Sequence, residues 1–225
     1  MKKRITLFGS CRLDSLNNYN NEIRNKISYT YDTKEILEVI KFLKFNHLSP
    51  EETIVTFRTP MMTKIPVYHK ELNEIIENTD IYVIEICGKK SYKYNNICVH
   101  SALAQFSNDY IRERIIIDQQ SDEEIETDII KIIEYLNTKN IIIVSHITTD
   151  NISERYKLSN LLENICLKHN IYFINPVKEI TKKGYNIYDL VINEPKIKHY
   201  NENGHKIIKE IYEEYINNII ENTTE

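Results

Sequence analysis

The 225 residues contain no tryptophan, only four glycines and only five prolines. No repeat or low-complexity linker divides the chain, so residues 1–220 are expected to form one domain, with 221–225 as a frayed tail. Cysteine is also scarce. Cys11, Cys87, Cys98 and Cys166 form no CxxC pair and no zinc spacing, which leaves no expected metal site and suggests reduced thiols in a cytoplasmic setting. No apolar run is long enough to span a bilayer. Met1-Lys2-Lys3-Arg4 looks like the start of a signal peptide, but the apolar stretch behind it ends at Gly9, so it reads as a first strand. Net charge is −4 and lysines alternate with glutamates. No basic stripe points to a nucleic-acid partner. Oligomeric state is not encoded in any pattern of this kind.

What is present is an alternation of two periodicities. The hydrophobic fraction is 41% and the charged fraction 28%, as in an ordinary globular domain with a sizeable core. The abundance of Ile, Asn, Lys and Tyr fits codon bias and bears on no mechanism. Short β-branched runs predict strands at Ile5–Phe8, Lys26–Tyr31 (weaker), Thr53–Phe57, Ile81–Ile86, Ile141–Ser145, Ile171–Ile174 and Tyr188–Ile192. The Ile81, Ile141 and Ile171 runs are almost uniformly apolar, as strands covered on both faces are. Helical stripes predict helices around Ile36–Leu43, Ile125–Leu136 (behind a capping box from Ser121 to Glu124), Leu158–Ile165 and Ile207–Ile219. The alternation predicts a three-layer α/β/α fold, flavodoxin-like, with a mainly parallel sheet. The irregular stretch from Lys89 to Arg114 is expected to be an insertion or lid.

Ligands of such sheets sit beyond the carboxyl ends of the strands. That rule selects Ser10 and Cys11 after the first strand, and Arg58 and Thr59 after the Thr53 run. It also selects Cys87 and Gly88, His146, and finally His199. Ser10 has two readings. It can be a nucleophile among unpaired backbone N–H groups, or a plain helix N-cap. Cys11 competes with it as a thiol at a helix start, but a buried packing role is the favoured reading for it. His199 is the expected general base; His205 reads as a helix-start or packing residue. Arg12, Arg58 and His146 are expected substrate contacts, with surface ion pairing as the commoner fate of such arginines.

Gly9-Ser10-Cys11 and His199-Tyr200-Asn201-Glu202-Asn203-Gly204-His205 resemble the first and last blocks of the SGNH hydrolase superfamily. The first block is similar to that of its GSCFA-type and polysaccharide-acetyltransferase branches. The resemblance implies an acyltransferase that moves an acetyl group from acetyl-CoA to a sugar or glycan acceptor, with Ser10 and His199 as the pair. A carbohydrate or lipid esterase using the same pair is the alternative, and a catalytically degenerate binding scaffold a third. The family's Asp-x-x-His acid falls on Lys196, so Asp189 or Glu194 would have to orient His199. The Gly-x-Asn-Asp block falls on Cys87-Gly88-Lys89-Lys90, where Gly88 is expected to give an oxyanion N–H and the side-chain amide is missing.

Overall fold

A computed structural model describes residues 3–19, 22–138, 140–193 and 198–222. Strands β1 (Ile5–Phe8), β2 (Ile81–Ile86), β6 (Ile141–Ser145) and β7 (Tyr172–Ile174) form one parallel sheet in the order β1-β2-β6-β7. Their residues alternate cleanly between the two faces, as the period of two requires. Phe8, Tyr82, Ile84, Ile86, Ile141 and Ile143 pack under helices Thr33–Phe45, Asp122–Leu136 and Glu154–His169. Ile5, Leu7, Val83, Ile142 and Val144 face helices Pro176–Lys182 and Glu202–Asn222 and the 3-10 helix Cys11–Leu16. The result is a three-layer α/β/α fold with a parallel sheet. Among the described residues no helix is long and apolar enough to cross a membrane.

The capping box at Ser121 and Glu124 is present and opens its helix. Two expected strands are not strands. Thr53–Phe57 lies in the helix Pro50–Thr56 and its end. There Ser49 and Glu52 form a reciprocal capping box and Pro50 takes the first turn, so local capping outweighs β-branched composition. Lys26–Tyr31 is the end of helix Glu22–Ile27 followed by an irregular run with Ser28 at φ 94°. That run is tied to the sheet at its tips: Thr30 N–H donates to the Gly9 carbonyl, and Cys87 N–H donates to the Tyr31 carbonyl. The Tyr188–Ile192 run divides into the 3-10 turn Ile187–Asp189 and strand β8 (Val191–Asn193). β8 pairs antiparallel with β9 (Lys198–Tyr200) outside the main sheet. The Lys89–Arg114 stretch contributes β3 (Lys90–Tyr94) and β4 (Ile97–Cys98), which join β5 (Ile116–Gln119) in a small antiparallel sheet. The last helix continues to Asn222, beyond the expected start of fraying.

Candidate active site

The site begins where β1 ends. Gly9 has φ +144°, and a Cβ there would lie 2.6 Å from the Glu85 Cβ, so only glycine allows the two strands to approach this closely. The next residue, Ser10, is the N-cap of the 3-10 helix Cys11–Leu16. It is 0% exposed. Its Oγ donates to Glu85 Oε2 at 2.6 Å and accepts from Arg12 Nη1 at 3.0 Å. Its N–H donates to the same carboxylate oxygen at 2.9 Å, and its carbonyl accepts from Arg24 Nη2 at 2.9 Å. The structure places the serine expected as nucleophile as a buried helix N-cap whose hydroxyl is taken up by a buried carboxylate. Cys11 is half-buried, not buried as the packing reading required.

Cys11 borders a cavity of about 380 Å³ beyond the carboxyl ends of β1, β2 and β6, together with Arg12, Arg58, Cys87, His146 and His199. Ser10 is not among its lining residues. Under its floor lies Glu85, 1% exposed. Glu85 pairs in register with Val144 of β6, and His146 stands two residues further along on the same face. His146 Nδ1 accordingly meets Glu85 Oε1 at 2.9 Å. Burial pushes the Glu85 carboxyl up, but the His146 hydrogen bond and charge, the Arg12 charge and the Ser10 hydroxyl outweigh it and bring it down to about 2. Burial lowers His146 to about 4, against the pull of Glu85 and with help from Arg12 and Arg155. The pair thus rests as carboxylate and neutral imidazole. Nδ1 carries the proton and donates it to Glu85, leaving Nε2 as a lone-pair acceptor. Nε2 is buried and has no hydrogen-bond partner among the described residues.

Arg12 joins the two ends of the chain. Its Nε donates to the Lys198 carbonyl at 2.8 Å, which holds β9, and His199 on it, against the loop that carries Cys11. The segment after His199 is a structural lock. Asn201 donates from Nδ2 to the Asp189 carbonyl and from its N–H to the Leu190 carbonyl, and its Oδ1 accepts from the Gly204 N–H. A Cβ on Gly204 would lie 2.1 Å from the Leu190 carbonyl oxygen. His205 packs edge-on against Tyr200 and bonds Ser15 through Nδ1 at 2.7 Å, which is the packing role read for it.

Three further expectations resolve differently. Gly88 does not offer a free oxyanion donor: its N–H is bonded to the Tyr31 carbonyl at 3.2 Å. Asp189 is exposed in its 3-10 turn and lies outside the cavity lining, and its carbonyl accepts from Asn201 Nδ2. Glu194 and Lys196 lie outside the described residues. Arg58 borders the cavity from the start of helix Arg58–Thr63, not from a strand end. Sequence reasoning missed Glu85, His100 and Arg155. Glu85 carried a signal, a lone acid inside an otherwise apolar strand; the other two did not. Donor atoms of Glu85, Cys87 and His146 lie within 4.8 Å of one another. A cation there would compete with Ser10 and His146 for both carboxylate oxygens and would face the Arg12 charge.

No protein-family model matches the chain, and no curated protein matches it. Among solved structures the chain is similar to two catalytic mutants of Axe2, an acetylxylan esterase from Geobacillus stearothermophilus, at 12% and 14% identity. A further Axe2 mutant, described as an acetyl-xylooligosaccharide esterase, is similar at 13% identity. Each comparison has a TM-score of 0.47 and covers 96% of this chain and 94% of the other.

Proposed function

We propose that the protein is an acyl-transferring enzyme that cleaves esters in the cavity above β1, β2 and β6. One observation carries this reading. Cys11 at the first turn and His199 ahead of the last helix border one cavity, and the Arg12–Lys198 bond holds their backbones together. The Cys11 thiol is the nucleophile. Burial raises its pKa above the ordinary value, with Arg12 opposing, so the thiol rests protonated and needs a base. His199 takes the thiol proton as sulfur bonds to the ester carbonyl carbon. The same imidazole then gives that proton to the leaving alkoxide as the carbon–oxygen bond breaks, leaving an acyl thioester on Cys11. Water or an acceptor hydroxyl next attacks the thioester and loses its proton to the base, and the thiol is restored. The Glu85–His146 pair offers Nε2 as an acceptor for a substrate hydroxyl. Ser10 acts as a positioning residue, since it holds Glu85 and Arg12 in place.

The proposed substrate is an acetylated carbohydrate. An aryl acetate tests the reading directly. Steady hydrolysis with water as sole acceptor supports it. Turnover only when acetyl-CoA and a sugar acceptor are both supplied would instead favour the acetyltransferase expected from the sequence. No turnover under either condition would favour the degenerate scaffold.

A further inference from the structure

The charge of the cavity is one-sided. Arg12, Arg58 and Arg155 line it, and no aspartate or glutamate is among its lining residues. Arg12 is engaged with Ser10 and Lys198. Arg58 and Arg155 are half-buried, and among the described residues neither forms an ion pair. A half-buried guanidinium with no acceptor gives up solvation without recompense. His100 adds an independent sign. It is 4% exposed and borders the same cavity. Its Nδ1 accepts from the Ala102 N–H at 2.9 Å, so the proton of the neutral ring is on Nε2. Among the described residues that N–H is buried without a hydrogen-bond partner, and Glu35 Oε1 at 3.9 Å is beyond hydrogen-bonding reach. Three donors with unused capacity therefore surround one cavity.

We propose that the cavity binds an oxyanion of the substrate, a carboxylate or a phosphate, between Arg58 and Arg155 with His100 Nε2–H as the third donor. A cation is disfavoured there by the three arginines, and a neutral group would leave two guanidinium forks unfilled. The inference rests on the proposed acyl-transfer reading only in making this anion part of the acylated substrate; binding itself needs no catalysis. Arg155 also borders an adjoining cavity of about 380 Å³, in which Lys89 and Lys90 are offset by Asp32, Glu35 and Glu154, so the anion belongs to the first cavity and the second suits an uncharged part of the ligand.

The test is binding to the full-length protein by calorimetry. Inorganic phosphate and glucuronate serve as probes, with chloride at equal ionic strength as the control. Saturable binding of either probe is expected for the native chain and for Cys11→Ala. The probe that binds more tightly names the source of the anion. Arg58→Gln and Arg155→Gln should each weaken binding roughly 10- to 100-fold, and Arg58→Lys should recover part of the loss. Absence of saturable binding by both probes would overturn the proposal, as would equal binding by the folded Arg58→Gln/Arg155→Gln double variant. Anion binding without ester cleavage in any assay would sink the acyl-transfer reading and leave the anion site standing.

Discussion

Ser10 Oγ donates to Glu85 Oε2 at 2.6 Å, and both residues are sealed from solvent. This contact ties the hydroxyl that sequence reasoning would choose as nucleophile to a carboxylate and leaves the next residue, Cys11, on the cavity. It also joins the first turn of the chain to the Glu85–His146 pair.

Ser10→Ala should therefore act on stability. It removes one of the donors to a buried carboxylate and the cap of the 3-10 helix, a loss of about 1–3 kcal/mol, measured by chemical denaturation. The variant should keep measurable ester turnover, whereas Cys11→Ala should lose it with little change in stability.

Glu85→Ala should be far more damaging. It leaves the Arg12 guanidinium without its buried counter-charge and His146 Nδ1 without an acceptor. Breaking such a pair costs about 3–5 kcal/mol, seen as a large drop in the urea midpoint. Glu85→Gln keeps the shape and should fall between the two.

The pH dependence follows from His146. Its folded pKa, about 4, is below its ordinary value of 6.5, so the unfolded chain binds the proton first. Stability from this group is complete above pH 6.5 and is lost as pH falls toward 4. Glu85, brought down to about 2 from 4.5, loses its contribution as pH falls below 4.5. Asp32, pushed up to about 7 mainly by burial, works in the opposite direction. It is common to native protein and variant and cancels in the difference. Relative to His146→Gln, the native protein should lose stability between pH 6.5 and 4.5 in paired urea titrations. A constant gap across that range would contradict the assigned protonation state.

Gly204→Ala tests the lock behind His199. The added methyl meets the Leu190 carbonyl and must push the β8–β9 ribbon away from the last helix. The expected result is a loss of about 1–3 kcal/mol, as for overpacked sites, together with a fall in turnover greater than partial unfolding explains. Normal turnover in the folded variant would separate the ribbon from the site.

Much of the architecture was legible in the residues. The runs Ile81–Ile86 and Ile141–Ser145 are apolar on both faces because helices cover both faces. The Ser121–Glu124 box announces its helix, and the strand-end rule led to Cys11, Cys87 and His146. The misread Thr53 run shows the limit of composition: Ser49, Pro50 and Glu52 fix a helix start that the β-branched residues then follow. At the site, Gly9-Ser10 suggested an active serine, because nothing local shows that Glu85, 75 positions further on, takes the hydroxyl. Glu85 was overlooked because a single acid hardly alters an apolar run, yet a buried charge must have partners. Arg155 and His100 come from surface helices and loops with no pattern, and only packing brings them to the cavity.

The central claim is that acyl transfer proceeds through Cys11. Quenching the enzyme with an activated acetyl ester during turnover, followed by peptide mass mapping, reads it directly. The account predicts one acetyl group on the peptide carrying Cys11, labile to hydroxylamine at neutral pH, present in Ser10→Ala and absent in Cys11→Ala. An acetyl group on Ser10, or full turnover by Cys11→Ala, would contradict it.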